Sequence, residues 1–241
     1  MAWRNDQVSE LETQKIIEIA RECLSLPGDF VEMGCYKGDT SLMLAEVLRE
    51  YNRGIACGKL VEKSVEKPVE SVCNGLDGGV FNREAKKLWI YDSFEGLPEK
   101  NKADESALGV DFKEGELLVT KREVKERFLK AGLPVPVIKK AWFVELTEMD
   151  LPEKIAFSFL DGDFYESIRD SLRLVAPKMI GWGCDGKDCG TDVVKNTQTG
   201  VMVIHDYNNP ALPGVRKAVD EWLEQQDMVE IAIVQSMAIM R

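Results

Sequence analysis

Short apolar runs typical of β-strands alternate with amphipathic, helix-like segments along most of this 241-residue chain. The strand-like runs read DFVEMG, KLWIYD, PVPVI, KIAFSFLD and GVMVIHDY, and the closing stretch MVEIAIVQSMAIMR contains one or two more. Strands that alternate with helices are joined by crossover connections, which produce a mainly parallel sheet with helices on both faces. The sequence therefore predicts an α/β fold.

The predicted elements fit one domain with an N-terminal helix and two insertions. A length of 241 residues suits a single α/β domain with a sizeable core. Residues 9–25 place apolar side chains at helical spacing behind a capping serine, and Pro27 and Gly28 end the pattern. Residues 54–86 and 179–199 show no sustained period, so we interpret them as insertions in a domain that spans residues 1–241.

The composition excludes several classes of partner. Hydrophobic residues make up 44% of the chain, but the longest apolar runs are far shorter than the roughly 20 residues of a membrane-spanning helix. The formal net charge of −11 would oppose binding to nucleic acids, so we expect neither a membrane nor a nucleic acid as a partner. The first residues lack the apolar core of a secretory signal, and we expect a cytoplasmic protein.

The six cysteines are irregularly spaced, which favours reduced thiols over a disulfide framework. Cys184 and Cys189 could form half of a zinc site. Their spacing differs from that of a zinc knuckle and no second pair follows, so a glycine-rich surface loop is the favoured interpretation.

Polar clusters follow the ends of four predicted strands. They occupy residues 32–38, 92–95, 161–166 and 205–208. In open α/β sheets, ligands bind beyond the carboxyl ends of the strands. We therefore expect the binding site at this edge of the sheet.

The first cluster, EMGCYKGD, contains two glycines with the spacing G-x-x-x-G, Gly34 and Gly38. Such a turn lets the backbone approach a ligand and leaves helix amide groups pointing at it, although a glycine turn between strand and helix can also be geometry alone. A dinucleotide fingerprint needs G-x-G-x-x-G, and Tyr36 stands at its second glycine. The missing pyrophosphate cradle disfavours NAD and an oxidoreductase.

Two carboxylates extend the predicted pocket. Asp92 ends the second strand, where a carboxylate can accept hydrogen bonds from a ribose diol; a helix cap or a loop salt bridge is the alternative. Glu32 ends the first strand and needs a partner if it is buried, such as the amino group of an amino-acid moiety. A nucleoside, a cationic centre and a zwitterionic tail without phosphates together describe S-adenosylmethionine, which we expect as the cofactor.

The third cluster places two carboxylates two positions apart after an apolar strand, Asp161 and Asp163 in FLDGDFYESI. Residues at i and i+2 of an extended strand point the same way, and the repulsion between two carboxylates is relieved if one of them binds a dication. A helix cap or a solvated strand end is the alternative. Tyr165 and Glu166, which open the next helix, fit a structural or a substrate-facing role equally well.

Four segments together resemble the macrocin O-methyltransferase family, which includes sugar O-methyltransferases of antibiotic biosynthesis. They read GDFVEMGCYKGDTS, IYDSFEGLPE, FLDGDFYESIRDSL and VIHDYNNPALPGVRKAVDEW. The similarity runs from about Gly28 to Trp222 without the two insertions, and DSFEGLP and LDGDxYES are its most specific parts. The resemblance implies the class I methyltransferase fold, a Rossmann-like three-layer sandwich with a mainly parallel seven-stranded sheet whose last strand is antiparallel.

The resemblance also implies an activity and its residues. The protein would be a metal-dependent O-methyltransferase that uses S-adenosylmethionine and acts on a hydroxyl of a small molecule, such as a glycoside or a vicinal diol. Asp163 would be the general base, and Asp161, His205 and Asp206 would bind a divalent metal, usually Mg²⁺. The positions that match the cofactor site are Glu32, Gly34, Cys35, Tyr36, Gly38, Asp92, Ser93, Phe94 and Asp161. A homodimer is compatible with the resemblance.

One residue departs from the family pattern. Relatives carry two acids where this chain has His205, its only histidine, followed by Asp206. Mg²⁺ prefers oxygen ligands, so an imidazole would favour Mn²⁺, Fe²⁺ or Zn²⁺, or leave a water in its place. A packed, hydrogen-bonded histidine is the alternative. A protein that keeps the fold and binds a ligand without methylating it is therefore the second hypothesis for the function.

Overall fold

The computed structural model describes residues 7–56, 84–182, 199–226 and 229–241. Its centre is a seven-stranded sheet with the strand order β3-β2-β1-β4-β5-β7-β6. The strands are β1 (Asp29–Met33), β2 (Leu88–Asp92), β3 (Val137–Lys140), β4 (Ile155–Leu160), β5 (Val201–Ile204), β6 (Ile231–Val234) and β7 (Met237–Met240). The last strand, β7, is antiparallel to both of its neighbours, and the other pairs are parallel. The predicted mainly parallel sheet is thus confirmed.

Five α-helices of the described residues cover the two faces of the sheet. They are α1 (Glu10–Glu22), α2 (Asp39–Ala56), α3 (Lys121–Ala131), α4 (Tyr165–Val175) and α5 (Pro213–Leu223). One apolar cluster joins α1, α2 and α3 to one face of the sheet, where the rings of Phe30 and Phe157 lie 5.2 Å apart. A second cluster joins α4 and α5 to the other face through residues such as Leu160 and Ile204. This is the predicted three-layer arrangement. In the described part of the chain, no helix is long and apolar enough to cross a membrane.

Local capping signals fix the beginning of two helices. At α1, the Ser9 side chain accepts a hydrogen bond from the Glu12 N–H, and the Glu12 carboxylate accepts one from the Ser9 N–H. Thr120 and Glu123 form the same capping box at α3, and Gly132 caps its C-terminal end with a left-handed φ of 65°. The predicted N-terminal helix is confirmed, and a 3₁₀ turn continues it to residue 25.

The third strand lies further along the chain than the sequence predicts. A strand is expected over residues 134–138, but β3 spans Val137–Lys140. Pro134 and Pro136 have no N–H to donate to a neighbouring strand. The parallel pairing with β2 accordingly begins at Val137, opposite Trp89.

The structure describes only the edges of the two predicted insertions. Residues 54–56 of the first insertion are part of α2, which ends at Ala56. At the start of the second insertion, Met179 forms a parallel bridge with Ile155 of β4. Residues 57–83 and 183–198, with the two-cysteine motif of the second insertion, lie outside the described residues.

The two cysteines that the structure describes, Cys23 and Cys35, are buried free thiols. Burial raises the pKa of Cys23 to about 12 and raises the pKa of Cys35 well above its usual value. A thiol with a raised pKa is a poor nucleophile, so neither residue is activated for chemistry.

Candidate active site

A cleft opens at the carboxyl edge of the parallel strands, where the connections that follow β1 to β5 meet. The predicted site residues that line it are Gly34, Cys35, Tyr36, Asp92, Ser93, Asp161, Asp163, His205 and Asp206. Glu32, Gly38 and Phe94 are not among the lining residues. The structure thus brings most of the predicted site together at the predicted edge of the sheet. We call the part formed after β1 and β2 the cofactor side and the part formed after β4 and β5 the acid side.

On the cofactor side, Asp92 holds the glycine turn in place. Its Oδ2 accepts hydrogen bonds from the backbone N–H groups of Cys35, at 2.9 Å, and Tyr36, at 3.4 Å. Its Oδ1 accepts a hydrogen bond from the Phe94 N–H at 2.7 Å. A carboxylate has about four acceptor sites, so Asp92 can fix this turn and still accept a hydrogen bond from a ligand in the cleft.

The cofactor side and the acid side touch at Gly34. This residue has a φ of 88°, and its N–H donates to the Tyr91 carbonyl at 2.9 Å. A Cβ at Gly34 would lie 2.1 Å from the carbonyl oxygen of Asp161. Only glycine fits, because both the backbone conformation and the neighbouring strand end exclude a side chain. The close packing of two strand ends is therefore enough to require this glycine.

Several strand ends around the cleft are conformationally strained. Tyr36, Phe94, Asp163 and Asp206 have φ values of 45°, 51°, 59° and 59°. They follow β1, β2, β4 and β5, one in each connection. Positive φ is unfavourable for residues with a side chain, and such strain concentrates at functional sites. The strain supports the assignment of this edge as the site.

Glu32 is fully buried within β1. The Ser41 hydroxyl donates to its Oε2, whereas Oε1 has no hydrogen-bond partner among the described residues. Burial raises the pKa of Glu32 to about 8, because the Ser41 bond offsets only part of the desolvation and the Asp161 and Asp92 carboxylates add to it. The cofactor role expected for Glu32 stays a prediction, since its side chain does not line the cleft.

Ser93 and Phe94, both expected beside the adenosine, have different surroundings. Ser93 lines the cleft, and its hydroxyl donates to the Gly96 carbonyl at 3.1 Å. Phe94 is buried and belongs to the apolar cluster on the α1–α3 face. Their contact with a cofactor stays a prediction, and the structure favours Ser93 as the accessible member of the pair.

On the acid side, His205 joins two carboxylates at the ends of β4 and β5. Its Nδ1 lies 3.0 Å from Oδ1 of Asp161 and 3.0 Å from Oδ2 of Asp206. Across the ring, Nε2 lies 4.0 Å from Oε2 of Glu12 in α1. Burial alone would lower the pKa of His205, but the Asp161 and Asp206 carboxylates outweigh burial and raise the pKa to about 11. A proton on Nδ1 can therefore bridge the two acids.

The same three residues fit a divalent cation. Asp161, His205 and Asp206 each offer one ligand atom, and these atoms all lie within 4.8 Å of one another. Two donors that neighbour each other around an ion, at bond lengths of about 2.1 Å, lie about 3 Å apart. This is the spacing between Nδ1 and each carboxylate oxygen. Because Nδ1 cannot carry a proton and bind an ion at once, a proton and a cation are alternative occupants of the cluster.

Asp163 lies beside this cluster in a tight turn. The Phe164 N–H donates to the Gly162 carbonyl at 2.6 Å, so that the hydrogen bond closes around Asp163. Burial raises the pKa of Asp163 well above its usual value, and the carboxylates of Asp161 and Asp206 raise it further. A carboxylate whose pKa is raised is a better proton acceptor near neutral pH. The role of general base expected for Asp163 stays a prediction.

An apolar wall of the cleft is not predicted from the sequence. Trp142 and Phe143 follow β3, whereas Phe112 and Leu117 come from the connection between β2 and α3, and all four line the cleft. The available signal was the pair of aromatic residues directly after a strand, at the same edge as the acids. Aromatic rings provide flat apolar surface against which a base or the CH face of a sugar can pack.

The two residues left open at the start of α4 do not line the cleft. Tyr165 donates its hydroxyl to the Glu221 carboxylate of α5 at 2.5 Å. Glu166 is exposed on the first turn of α4. A structural role is therefore favoured for Tyr165.

Solved methyltransferase structures share this fold, which confirms the predicted class I methyltransferase architecture. The chain superposes on a calicheamicin methyltransferase with a TM-score of 0.64 at 16% identity, covering 99% of this chain and 80% of that one. It superposes on an O-methyltransferase from Bacillus cereus in complex with SAH with a TM-score of 0.53 at 10% identity, covering 99% and 83%. At these identities the likeness establishes the fold.

A profile of the macrocin-O-methyltransferase family (TylF) matches residues 76–184. The matched range contains DSFEGLP and LDGD, whereas the glycine turn and the pair His205 and Asp206 lie outside it. The match confirms the resemblance to this family that the sequence motifs predict.

Two curated relatives are also O-methyltransferases. One is the 8-demethyl-8-(2,3-dimethoxy-alpha-L-rhamnosyl)-tetracenomycin-C 4'-O-methyltransferase of Streptomyces olivaceus, 27% identical over 164 residues, which cover 66% of this chain and 51% of the relative. The other is the demethyldecarbamoylnovobiocin O-methyltransferase of Streptomyces niveus, 23% identical over 228 residues, which cover 90% and 68%. The chain thus spans about half the length of the first relative and about two thirds of the second.

Proposed function

We propose that the protein is an S-adenosylmethionine-dependent, divalent-metal-dependent O-methyltransferase that acts on a hydroxyl of a glycoside or a vicinal diol. The observation that carries this proposal is the cleft itself. Its cofactor side lacks the glycine pattern that cradles a pyrophosphate, and it meets a cluster of acids and one imidazole. The macrocin-O-methyltransferase match and the names of both relatives support the reaction class.

The cofactor side would hold S-adenosylmethionine, which supplies a methyl group on a cationic sulfur. Asp92 has acceptor capacity for the ribose diol, and the turn at Gly34 places backbone close to the cleft. The carboxylates of the cleft favour a cationic ligand electrostatically. A fold neighbour was solved with SAH, which supports this choice of cofactor.

Asp163 would accept the proton of the acceptor hydroxyl. Its raised pKa makes it a stronger base than an ordinary carboxylate, and the turn between Gly162 and Phe164 fixes its backbone. Asp161, His205 and Asp206 would hold the divalent cation. The cation supplies positive charge that lowers the pKa of a hydroxyl beside it.

The donor set supports a preference among divalent cations. Two carboxylates and one imidazole mix oxygen with nitrogen, whereas Mg²⁺ prefers oxygen alone. We therefore expect Mn²⁺ to bind more tightly than Mg²⁺, with Mg²⁺ able to occupy the cluster at its higher cellular concentration. His205→Asp, which restores the all-acid pattern of the family, should shift the preference toward Mg²⁺ in a calorimetric titration of both ions.

The relatives and the cleft wall support the proposed acceptor class. The first relative is named as acting on a rhamnosyl derivative. In this chain, the aromatic wall formed by Trp142, Phe143 and Phe112 lies in the same cleft as the acids. A sugar combines an apolar CH face with hydroxyl groups and fits both surfaces.

A methyl-transfer assay tests the proposal. The purified protein is incubated with S-adenosylmethionine, Mn²⁺ or Mg²⁺ and a panel of rhamnosides and other glycosides, and mass spectrometry records products heavier by one methylene. Calorimetry with S-adenosylmethionine and with NAD is the accompanying control. We expect binding of the first ligand alone, and methylation of at least one glycoside.

A ligand-binding protein without methyltransferase activity is the second candidate, and the position of His205 favours it. A protonated imidazole between Asp161 and Asp206 balances the acids without a cation. In that case the protein binds S-adenosylmethionine, no divalent ion binds at the cluster, and no product forms with any acceptor. The same assay therefore separates the two candidates.

A further inference from the structure

Connections that carry site residues converge on one buried carboxylate outside the cleft lining. Asp104 belongs to a 3₁₀ turn (Lys102–Asp104) between β2 and α3 and is 1% exposed. We propose that Asp104 is a positioning residue, which holds the turns that carry Asp163 and Asp206 in the arrangement needed for methyl transfer. The inference rests on the proposed function, because it assigns Asp104 a role in that reaction.

The first link runs to the turn of Asp163. Oδ1 of Asp104 accepts a hydrogen bond from the Tyr165 N–H at 2.7 Å, in the first turn of α4 and two residues after Asp163. Phe164, the N-cap of α4, contributes no side-chain cap, so Asp104 supplies an acceptor from a distant segment. Its negative charge also lies at the favourable end of the helix dipole.

The second link runs to the connection that follows Asp206. Gly214, in the first turn of α5, packs so closely on Asp104 that a Cβ there would lie 1.8 Å from Oδ1. In the same region, the Ser106 hydroxyl donates to the Pro210 carbonyl at 2.9 Å. The connection after β2 is therefore fastened to the segment that leads from the acid side into α5.

The effect of losing Asp104 follows from this geometry. The Tyr165 N–H would lose its acceptor, and the strained turn at Asp163 would lose the bond that holds its C-terminal side. A displacement of about 1 Å at a reacting group lowers a rate by about 100-fold. The cofactor side is held by separate bonds between Asp92 and the glycine turn. We therefore expect the loss in kcat and an unchanged Kd for S-adenosylmethionine.

Three variants and one matched control test the role. Asp104→Ala removes the acceptor, and Asp104→Asn keeps an oxygen for the Tyr165 N–H. Gly214→Ala would place a Cβ 1.8 Å from Oδ1 of Asp104 and 2.9 Å from the Tyr165 nitrogen, so it disturbs the contact between these two residues without changing either of them. Asp150→Ala is the control, because Asp150 is likewise the third residue of a 3₁₀ turn with a capping box and pairs with Lys139. Each variant is assayed well below its own unfolding midpoint.

We expect kcat to fall roughly 10- to 100-fold in Asp104→Ala and Gly214→Ala, to recover partly in Asp104→Asn, and to stay unchanged in Asp150→Ala. A purely stabilising Asp104 would lower the unfolding midpoint of Asp104→Ala and leave kcat unchanged, and this result would overturn the proposal.

Hydrogen exchange provides a second readout that needs no turnover. In Asp104→Ala, amides of residues 161–168 and 205–215 should exchange faster, while amides of residues 33–40 should not. Hydrogen exchange that becomes faster in all three segments, or in none of them, would contradict the positioning role. If the wild-type protein methylates no acceptor, the proposed function fails, and the exchange pattern still decides whether Asp104 holds these turns.

Discussion

The two sides of the cleft are built by different means. On the cofactor side, backbone N–H groups of Cys35, Tyr36 and Phe94 bind the carboxylate of Asp92. On the acid side, side chains make the contacts: the His205 imidazole joins the Asp161 and Asp206 carboxylates, and the Asn209 amide also donates to Asp206. Backbone hydrogen bonds do not depend on the ligand, whereas the acid side would hold either a proton or the proposed cation.

Because of this difference, we expect binding of S-adenosylmethionine and methyl transfer to depend on different sides of the cleft. A cofactor side organised by backbone should bind S-adenosylmethionine without any metal, because its hydrogen bonds are already formed. If the acid side holds a cation, as proposed, then without that cation it would keep a proton on His205, and the Asp161 and Asp206 carboxylates would take up the charge of that imidazolium. The two sides should therefore respond separately to substitution, pH and chelators.

Among the substitutions, we expect Asp163→Asn to separate turnover from cofactor binding most strongly. The amide keeps the shape of the side chain but does not accept a proton, so kcat should fall about 10²–10⁴-fold. The Kd for S-adenosylmethionine, measured by calorimetry, should not change. Glu148→Gln is the control, because Glu148 is exposed and lies outside the cleft lining. Unchanged turnover in Asp163→Asn would remove Asp163 as the base.

Gly34→Ala should damage both sides at once. A Cβ at Gly34 meets the Asp161 carbonyl oxygen at 2.1 Å, and the φ of 88° adds strain. We expect a loss of about 3 kcal/mol in the free energy of unfolding, measured with urea. Gly109→Ala isolates the strain, since Gly109 has a φ of 70° and no atom within 4 Å of its Cβ position. Equal losses in the two variants would show that the contact between the sides is unimportant.

Asp92→Asn should weaken the cofactor side alone. In the wild type, the backbone N–H groups of Cys35, Tyr36 and Phe94 donate to both oxygens of the Asp92 carboxylate, but the amide of Asn offers only one oxygen. We expect this loss to cost about 2 kcal/mol in stability and to lower the affinity for S-adenosylmethionine. The affinity of the acid side for Mn²⁺ should stay the same in a titration. A parallel loss of Mn²⁺ affinity would contradict the independence of the two sides.

Glu32→Gln should change the pH dependence of stability. The pKa of Glu32 in the folded state is raised to about 8, so the folded protein keeps a proton that the unfolded chain releases above its ordinary pKa near 4.5. The stability that this proton provides is complete below that ordinary pKa and is lost as the pH rises toward 8. Between pH 5 and 8, the wild type should lose about 1 kcal/mol per pH unit relative to Glu32→Gln. Parallel curves for the two proteins in urea titrations would show that Glu32 is ionised when folded.

The sequence predicts the fold class because strand and helix periodicity is local. Capping residues such as Ser9 and Thr120 act on neighbours three positions away, and they mark their helices in the sequence. The predicted position of β3 is wrong, although the reason for its later start is also local: Pro134 and Pro136 have no N–H to donate to the sheet. The packing of Phe30 on Phe157 joins residues distant in the chain, and no local pattern encodes such contacts.

The same distinction applies to the site. The position of Asp92, Asp161 and Asp163 in the cleft could be predicted because each stands at the end of a strand-like run, and such ends meet at one edge. The hydrogen bond from the Tyr165 N–H to Asp104 and the approach of Glu12 to His205 could not be predicted. They depend on how the connection after β2 and the helix α1 pack against distant elements.

Methyl transfer after removal of metal tests the central claim most directly. Protein treated with EDTA, desalted and supplied with S-adenosylmethionine and an acceptor glycoside should bind the cofactor normally and form no product. Added Mn²⁺ should restore turnover, and Asp161→Ala should abolish this restoration by weakening metal affinity. Full activity of the stripped protein, or equal restoration in Asp161→Ala, would contradict a cation held by Asp161, His205 and Asp206.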